Sequence, residues 1–442
     1  MLSVDEAFAC LREHARPLPM EEVALEDACG LILVQAVCSQ VDSPPFDKSM
    51  VDGYAISIRD MAPTLRVAEQ VTAGQVPHHA VQPGTTIRVM TGAPLPDGAD
   101  AVVKWEDTTQ LDDATICSPV AAAADAAARC QPKTDRPSKS GGPIEPGYCV
   151  SPQGSAFHAG QQVLAADTRL GPAAIGLLAE IGRYQVPVIP RPRVAVLPTG
   201  NELVEGKSSP TTGPLSAGKI RNSNGPMLLA ALRQLGIETV NLGIGRDNPQ
   251  DLQARIELGL DTDVLLISGG VSAGVLDLVP GVLKSLGVRQ VLHKVRMKPG
   301  KPVWFGVRES AARRVLVFGL PGNPVSTFVA FQLFVRPTLQ ALAGEPFAPQ
   351  QPMACRLTGP MAHRGDRPSY QPCKIVAAPP TDRSREGGCP GDLATVGLPA
   401  VQPLAWRGSA DLATLAQANG LAQLPPGDYQ LDGGREIHVL PL

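Results

Sequence analysis

The sequence predicts a multidomain fold of mixed α/β and β class, in which a central domain of alternating strands and helices lies between β-rich ends. The chain has 442 residues, which are too many for one ordinary hydrophobic core. Strand-like and helix-like segments alternate from 193 to 343, as they do around a parallel sheet. Short apolar runs broken by proline and glycine precede and follow that stretch and predict small β domains.

The N-terminal part combines one helix with several short strands. Residues 3–16 predict an amphipathic helix with Ser3 as its N-cap, because apolar side chains recur there at helical spacing. Segments 85–90 and 99–103 are rich in β-branched residues between turn formers and therefore predict strands. A run of alanines followed by turn formers within 109–150 predicts a flexible surface insertion.

The central part predicts an open, mostly parallel sheet with helices on both faces. Its strands are short apolar runs, and its helices carry apolar residues at helical spacing between glycine and proline boundaries. The predicted strands are 193–198, 239–243, 263–268 and 315–319, and the predicted helices are 225–236, 251–260 and 325–342.

Composition and charge exclude several classes of function. The formal net charge of −3 gives no global attraction to nucleic acid or acidic lipid, so any anionic ligand must be held by local groups. The nine cysteines are scattered without a C-x-x-C pair, which argues against a disulfide framework and a zinc site. Neither a secretory signal nor an apolar run of membrane-spanning length is present. We expect a cytoplasmic globular protein that binds neither nucleic acid nor membranes.

Three predicted strands are each followed by a turn that suits an anion. Glycine lets the backbone approach a ligand closely, and exposed N–H groups at the start of a helix attract negative charge. Because parallel strands end at one edge of a sheet, these turns are expected to line one crevice. Any one turn is equally well explained as a tight connection, but their joint occurrence favours a phosphate or other oxyanion site. The residues concerned are Gly200, Glu202, Ser268, Gly269, Gly270, Ser272, Pro321, Gly322, Asn323, Pro324 and Ser326.

Two lysines and two aspartates extend this candidate site. Lys298 and Lys301 follow a strand-like run at 293–297, and lysine suits an oxyanion as a compact point charge. A solvated hairpin turn explains the pair about as well. Asp247 and Asp277 are candidates for a divalent cation, since Mg²⁺ at phosphates uses one or two carboxylates. Either aspartate also suits a helix N-cap.

One further run, at 45–55, combines two carboxylates, a lysine and a tyrosine. On its own chemistry it is explained by a turn at Asp52 and Gly53. It is the first of several blocks that extend over nearly the whole chain: PFDKSMVDGYA, IRVMTGAPLPDGADAVVKWEDT, LPTGNELVEG, LLISGGVSAGVLD, RMKPGKPVWFG and GLPGNPVSTF. In this order the blocks resemble those of molybdopterin molybdenumtransferases, the family of the bacterial MoeA type and the gephyrin E domain.

The resemblance implies a four-domain architecture and a homodimer. The N-terminal linking and dimerisation domain would comprise 1–47 and 151–186, and a β-rich domain carrying the flexible insertion would occupy 48–150. The α/β/α domain of the molybdopterin-adenylyltransferase type would occupy 187–343. A small C-terminal domain resembling a β-barrel would then occupy 344–442.

The resemblance also implies a reaction. Members of the family insert molybdate into adenylylated molybdopterin, hydrolyse the adenylate and release AMP, and they use Mg²⁺ or another divalent cation. The protein partners implied are molybdopterin adenylyltransferase and molybdoenzyme chaperones. The physical logic agrees, because cleavage of a phosphoanhydride needs charge neutralisation more than a strong nucleophile.

Residue roles follow from the same resemblance. Catalytic roles would fall to Asp52, Thr91, Glu202, Asp277, Lys298 and Lys301, the first two reaching the site from the N-terminal region across the dimer. The cation would be held by Glu202, Asp247 and Asp277. The glycine- and proline-rich turns named above would bind pterin and phosphate.

The chain departs from the family pattern at several of these blocks. Lys48 and Asn201 stand where the family usually has Asn and Asp, and Ala156 and Val275 stand where acidic residues are common. Leu278 replaces an aromatic residue. The loss of a carboxylate at Ala156 affects the expected number of metal ions. The alternative function is therefore a non-catalytic or divergent molybdopterin-binding or delivery protein.

Overall fold

The chain folds into two compact units. The computed structural model describes residues 1–60, 62–118, 144–206, 215–271, 278–310, 313–376 and 397–442. The first unit comprises Met1–Glu22, Gly30–Ile32 and Pro187–Leu442, and the second comprises Val23–Cys29 and Leu33–Val186. Among the described residues, no helix is both long enough and apolar enough to span a membrane.

The chain begins with helix α1, Val4–His14, as the sequence predicts. Ser3 is its N-cap: the backbone N–H of Glu6 donates to Ser3 Oγ at 3.1 Å, and the backbone N–H of Ser3 donates to a carboxylate oxygen of Glu6 at 2.7 Å. This reciprocal capping box satisfies two N–H groups that the first helical turn leaves free. On the apolar face, Ala7 and Leu11 are buried.

Short strands dominate the second unit. Between Glu21 and Leu164 the strands are β1 Glu21–Ala24, β2 Ile32–Leu33, β3 Val37–Cys38, β4 Lys48–Ser49, β5 Gly53–Ile56, β6 Thr64–Val71, β7 Thr85–Val89, β8 Ala101–Lys104, β9 Gln110–Asp112, β10 Thr115–Cys117, β11 Val150–Ser151 and β12 Gln162–Leu164. Helix α2, Pro172–Glu180, follows them. The main sheet has six strands in the order β8-β5-β7-β6-β10-β9, of which β6 and β7 pair in parallel and the other neighbours antiparallel.

The predicted flexible insertion at 109–150 is wrong at its start. Strands β9 and β10 form a hairpin that extends the main sheet, and Ile116 is fully buried opposite Leu65 of β6. The hairpin is hard to predict because alanines and turn formers dominate the composition of 109–150, whereas strand β10 contributes only Thr115–Cys117. Residues 119–143 lie outside the described residues. Cys117 is disulfide-bonded, which the scattered cysteine spacing did not predict, whereas Cys10, Cys38, Cys149, Cys355 and Cys373 are free thiols.

The first unit contains the α/β domain. Strand β13, Gln185–Ile189, precedes this domain and belongs to a three-stranded sheet of order β1-β13-β2. The elements of the α/β domain are β14 Val194–Pro198, β15 Leu203–Val204, β16 Ile220–Arg221, α3 Asn224–Gln234, β17 Thr239–Asn241, α4 Pro249–Gly259, β18 Val264–Ser268, α5 Val279–Ser285, β19 Arg289–His293, β20 Trp304–Glu309, β21 Arg314–Leu320, α6 Pro324–Ala330 and α7 Arg336–Leu342. The sheet order is β17-β14-β18-β21-β20-β19. The first four strands are parallel, and β20 runs antiparallel to both of its neighbours.

Alternation along the strands of this sheet separates two cores. In β14, Val194 and Val196 pack with α3 and α6 on one face, whereas Ala195 and Leu197 pack with α4 and α5 on the other. Both sets are fully buried because successive strand residues point to opposite faces and each face is covered by helices. The prediction of a mostly parallel sheet with helices on both faces is confirmed.

Two predicted elements differ in extent. The helix expected at 325–342 is divided by a π-helical turn, Phe331–Val335. Pro337 follows this turn, and a proline cannot donate the regular helical hydrogen bond to the preceding turn. The strand-like run at 293–297 is not a strand beyond His293, because Lys294 takes a φ of 69°, which breaks the pleated conformation.

The chain ends in a small barrel. Its elements are β22 Met353–Leu357, β23 Met361–His363, β24 Ser369–Val376, β25 Ala400–Pro403, α8 Leu412–Leu415, β26 Gly420–Leu424, β27 Tyr429–Leu431 and β28 Glu436–Pro441. Five strands close in the order β22-β25-β24-β26-β28. Cys355, Cys373, Val401 and Val439 fill the interior. The predicted barrel-like C-terminal domain is confirmed.

Candidate functional site

The turns at the carboxyl edge of the α/β sheet line one cavity of about 580 Å³. Strands β14, β18 and β21 end in register, with Pro198 beside Ser268 and Ser268 beside Leu320. The turns that follow these strands therefore meet at one edge of the sheet. Ten residues singled out from the sequence line this cavity: Gly200, Glu202, Asp247, Ser268, Gly269, Gly270, Pro321, Gly322, Asn323 and Pro324. We call it the carboxylate chamber, after Glu202 and Asp247.

A second cavity, of about 590 Å³, adjoins the first. Both are lined by Pro302, Pro321, Gly322 and Asn323, which form a shared wall. Lys298, Lys301 and Ser326 line this second cavity. We call it the lysine chamber. All the described site residues that the sequence places in the α/β domain thus lie in two adjoining chambers, although their part in binding stays a prediction.

Glycine is required where the turns approach each other. Gly269 has a φ of 94°, and a Cβ on it would lie 2.6 Å from the backbone oxygen of Thr199. Gly200 has a φ of 145°, and a Cβ there would overlap the carboxylate of Glu202. A side chain at either position would need strained backbone, and at Gly269 it would also push the turn after β18 away from the backbone of Thr199. These glycines therefore set the shape of the carboxylate chamber.

The two carboxylates of this chamber are carried by loops that bind each other. The backbone N–H of Asn201 donates to Asp247 Oδ2 at 2.9 Å, and the backbone N–H of Asp247 donates to Asn201 Oδ1 at 3.2 Å. The guanidinium of Arg246 donates to the backbone oxygen of Leu203 at 3.0 Å. The N-cap of α4 is Asn248, whose side chain accepts from the backbone N–H of Asp251, so Asp247 does not cap that helix.

These carboxylates fit a divalent cation of the magnesium type. Within the described chain, no group of three or more histidine, cysteine or acidic side chains is placed to hold a metal ion. Mg²⁺ is commonly bound through one or two carboxylates together with substrate phosphates and water. Glu202 and Asp247 supply two carboxylates at a cavity that also has room for such a ligand.

Asn224 joins two of the turns and was not singled out from the sequence. Its Nδ2 donates to Ser268 Oγ and to the backbone oxygen of Gly322, each at 2.7 Å, and only 9% of the residue is exposed. Its Oδ1 has no partner among the described residues. Asn224 opens helix α3 and lines the carboxylate chamber. The sequence shows only an asparagine at the start of an apolar helix, and a helix-capping role is enough to explain an asparagine at that position.

The lysine chamber is completed by the C-terminal barrel. The backbone N–H of Lys298 donates to Pro368 O at 2.9 Å, and that of Tyr370 donates to Lys298 O at 2.8 Å. The guanidinium of Arg367 donates to Met297 O at 3.2 Å. Arg367, Trp406 and Ser409 line this chamber and were missed. Sequence spacing could not find them, because about 70 residues or more separate them from Lys298.

Asp52 and Thr91 form a hydrogen-bonded pair in the second unit. Strand β5 pairs with β7, with Gly53 opposite Val89. This pairing brings Asp52, which directly precedes β5, close to Thr91, which follows the end of β7. The backbone N–H and the hydroxyl of Thr91 both donate to Asp52 Oδ1, at 2.7 and 2.8 Å. The backbone hydrogen bond from Thr91, then its hydroxyl, and then the charge of Arg88 hold the pKa of Asp52 below its ordinary value.

The remaining predicted residues fall outside the described residues or belong to the second unit. Ser272, Val275 and Asp277 lie outside the described residues, so the structure gives them no position here. Lys48 and Ala156 belong to the second unit, where Lys48 is in β4 and the backbone N–H of Ala156 donates to Ser43 O at 2.9 Å.

Three family descriptions match consecutive parts of the chain. Residues 2–182 match the MoeA N-terminal region (domain I and II), residues 195–341 match a probable molybdopterin binding domain, and residues 354–442 match the MoeA C-terminal region (domain IV).

Similar proteins and structures extend over the full length. The chain is 33% identical over 432 residues to the molybdopterin molybdenumtransferase of Nostoc sp., which covers 96% of this chain and 88% of that protein. It is 33% identical to molybdopterin molybdenumtransferase 2 of Mycobacterium tuberculosis over 100% of both chains. The molybdopterin biosynthesis MoeA protein of Pyrococcus horikoshii has a solved structure with 25% identity and a TM-score of 0.70, covering 100% of both chains. Another structure with that description has 29% identity and a TM-score of 0.73, covering 100% of this chain and 99% of the other.

Proposed function

Because this chain belongs to the MoeA family of molybdopterin molybdenumtransferases, we propose that its two adjoining chambers are the site of molybdenum insertion in molybdenum cofactor biosynthesis. The reaction proposed is insertion of molybdate into adenylylated molybdopterin, with hydrolysis of the adenylate and release of AMP. The transferase activity follows from the family, whereas the assignment of steps to residues is our proposal.

One observation carries the assignment: the chambers share a wall but differ in charge. The charged residues that line the carboxylate chamber are two carboxylates, Glu202 and Asp247, and one cation, Arg221. Those that line the lysine chamber, Lys298, Lys301 and Arg367, are all cations. A substrate with a phosphoanhydride at one end and a metal-accepting group at the other needs a cation for its phosphates and a cationic pocket for the incoming oxyanion. The division of charge across one wall meets both needs.

Lys298 and Lys301 are proposed to hold molybdate in the lysine chamber. Ammonium groups attract a dianion without demanding a fixed approach direction, and proline and glycine between the two lysines keep them on a short, non-helical turn. Ser326, in the first turn of α6, lines the same chamber and offers a hydroxyl donor.

Glu202 and Asp247, together with Asp277, are proposed to hold a divalent cation such as Mg²⁺. When bound, the cation would supply charge neutralisation at the phosphates of the adenylate. The turns with Gly200, Ser268, Gly269, Gly270 and Ser272, and those with Pro321, Gly322, Asn323 and Pro324, would let the pterin and phosphates lie close to the backbone.

Asp52 and Thr91 are proposed to complete the site from a second copy of the chain in a homodimer. Asp52 is a carboxylate at neutral pH, as its ordinary pKa of 3.8 already requires, and the hydrogen bonds from Thr91 lower that pKa further, so the pair offers an acceptor rather than an acid. We also propose a cytoplasmic location and, as protein partners, molybdopterin adenylyltransferase and molybdoenzyme chaperones. Sedimentation equilibrium tests the dimer: a monomer at micromolar concentration would remove Asp52 and Thr91 from the proposal.

The deciding experiment is a measurement of AMP release from adenylylated molybdopterin, with and without molybdate and Mg²⁺. The wild type is compared with Asp277→Ala and with Lys298→Ala, and Lys284→Ala on α5, outside both chambers, is the matched control. We expect release that depends on molybdate and falls strongly in the first two variants. Tight binding of the adenylylated cofactor without AMP release would instead support the alternative of a binding or delivery protein.

A further inference from the structure

Arg367 lies in a loop of the C-terminal barrel, residues 364–368, that joins β23 to β24. Four consecutive backbone oxygens of this loop each accept a hydrogen bond, two from the barrel and two from the connection between β19 and β20. The donors are the backbone N–H of Gly427 to Gly365 O at 2.9 Å, the guanidinium of Arg296 to Asp366 O at 2.8 Å, Nε2 of His363 to Arg367 O at 2.9 Å and the backbone N–H of Lys298 to Pro368 O at 2.9 Å. The loop is therefore held between the barrel and the segment that carries Lys298.

His363 makes the hydrogen bond to the backbone oxygen of Arg367 itself. It is the last residue of β23 and is only 2% exposed. A carbonyl oxygen only accepts hydrogen bonds, so Nε2 of His363 is the donor. The imidazole packs edge to face against the ring of Tyr429 on the paired strand β27, with the ring centroids 5.7 Å apart. Because the ring is buried and packed in this way, its N–H stays directed at Arg367 O.

The side chain of Arg367 adds a third positive charge to the lysine chamber, beside Lys298 and Lys301. It is 30% exposed, and its guanidinium donates to Met297 O at 3.2 Å. Its Nε also lies 3.9 Å from the carboxylate of Asp366, but that side chain is 81% exposed, and solvent screens such a pair. The attraction between an anion and a cation falls as their separation grows. A shift of the Arg367 backbone would therefore change how strongly the chamber holds an anion.

We propose that His363 is a positioning residue of the lysine chamber, whose imidazole N–H holds the Arg367 carbonyl and so keeps the Arg367 guanidinium beside the bound oxyanion. The inference rests on the proposed function, which assigns an oxyanion to this chamber. His363 lines neither chamber, so its effect on the anion passes through Arg367. Groups that orient a binding residue in this way affect affinity without touching the ligand.

The test is the affinity of the full-length protein for sodium molybdate alone, measured by isothermal titration calorimetry. His363→Phe removes the donor and keeps a ring, whereas His363→Gln carries an amide N–H at about the reach of Nε2. We expect His363→Phe to bind molybdate about 10-fold more weakly, the lower end of the loss caused by removing a group that orients a metal ligand. His363→Gln should recover most of that affinity. His438→Phe, the same exchange at an exposed position of β28, is the control and should bind as the wild type does.

A double-substitution cycle separates positioning from a general loss of structure. Arg367→Ala removes the cation that His363 is proposed to place, and it should weaken binding at least as much as His363→Phe does. Adding His363→Phe to Arg367→Ala should then cost little more, because residues that act as one unit are not additive. Thermal unfolding checks that each variant is folded. If His363→Phe does not fold, His363→Asn replaces it, since its shorter amide lies at the level of Nδ1 and not of Nε2.

Contrary results would fall into two groups. Unchanged affinity in His363→Phe, equal losses in His363→Phe and His363→Gln, or full additivity with Arg367→Ala would each overturn the positioning role, while molybdate binding by the wild type would leave the proposed function standing. If the wild type itself binds no molybdate, or if Lys298→Ala binds it as well as the wild type does, the oxyanion site of the proposed function fails together with this inference.

Discussion

Asn201 and Asp247 hold each other by two reciprocal hydrogen bonds between backbone N–H groups and side-chain oxygens, at 2.9 and 3.2 Å. This pairing occupies Oδ2 of Asp247, and no described residue donates to its Oδ1. The resemblance described above implies an aspartate where Asn201 stands. The amide keeps the acceptor for the Asp247 N–H without placing a second negative charge beside Asp247. The departure at 201 therefore preserves the loop contact and lowers the local negative charge.

Replacing the chamber carboxylates should weaken the affinity of the protein for the cation. Asp247→Asn and Glu202→Gln keep the side-chain shapes but remove one charge each, so we expect the half-saturating Mg²⁺ concentration for AMP release to rise about 10-fold. Glu257→Gln, on the outer face of α4, is the control and should behave as the wild type does. An unchanged Mg²⁺ requirement in both chamber variants would assign the cation to other residues.

Removing the amide that joins two turns should cost both stability and binding. Asn224→Ala loses the hydrogen bonds to Ser268 and Gly322, and we expect the free energy of unfolding to fall by about 1–3 kcal/mol. Chemical denaturation measures this, and the affinity for adenylylated molybdopterin should fall in parallel. Asn241→Ala is the control, since the Asn241 side chain is exposed and, among the described residues, accepts a hydrogen bond only from the N–H of Gly243. Equal effects of the two substitutions would contradict the bridging role.

A methyl group at Gly269 should distort the carboxylate chamber. Gly269→Ala combines a φ of 94° with a contact of 2.6 Å to the Thr199 oxygen, so we expect a loss of about 1–3 kcal/mol in stability and a severe loss of activity. Gly281→Ala is the matched control inside α5, where nothing lies within 4 Å of the added atom. It should stabilise the protein by about 0.5–1 kcal/mol. Thermal unfolding distinguishes the two, and similar melting temperatures would show that the turn relaxes.

The ionisation of Asp52 should depend on Thr91. Thr91→Val removes the hydroxyl donor and keeps the backbone N–H, so the pKa of Asp52 should rise part of the way towards its ordinary value of 3.8. Folding lowers the pKa of Asp52, so its ionisation stabilises the folded protein at pH values above 3.8. This stabilisation is lost as the pH falls through the folded-state pKa of Asp52. The variant should lose it at a higher pH. Carboxyl NMR titration of both proteins measures the shift, and an identical Asp52 titration would refute the contribution of the hydroxyl.

The regular parts of the fold follow from local patterns in the sequence. Apolar runs such as 263–268 predict buried parallel strands because both faces of the central sheet are covered. Ser3 predicts the start of α1 because capping is decided within one turn. The π-turn at Phe331–Val335 was missed, since a proline in the second half of the helix shifts its hydrogen bonding without interrupting the apolar pattern.

The candidate site is predictable only where its residues follow strands in the chain. Gly200, Gly269 and Gly322 were found because parallel strands end at the same edge of the sheet. Arg367 and Trp406 were missed, because they come from the barrel and meet Lys298 only after folding. Asn224 was missed for another reason: its tie between two turns depends on hydrogen-bond partners that spacing does not reveal.

The single antiparallel strand of the central sheet, β20, determines where the connection that carries Lys298 and Lys301 lies. Because β20 reverses direction between β21 and β19, the connection from β19 back to β20 emerges at the edge where the glycine turns lie. That connection is closed by hydrogen bonds from Lys294 N–H to Val303 O at 2.8 Å and from Val295 N–H to Lys301 O at 3.0 Å. The backbone that carries Lys298 and Lys301 is thus held in place without a ligand, so an anion bound between these lysines would not have to order it.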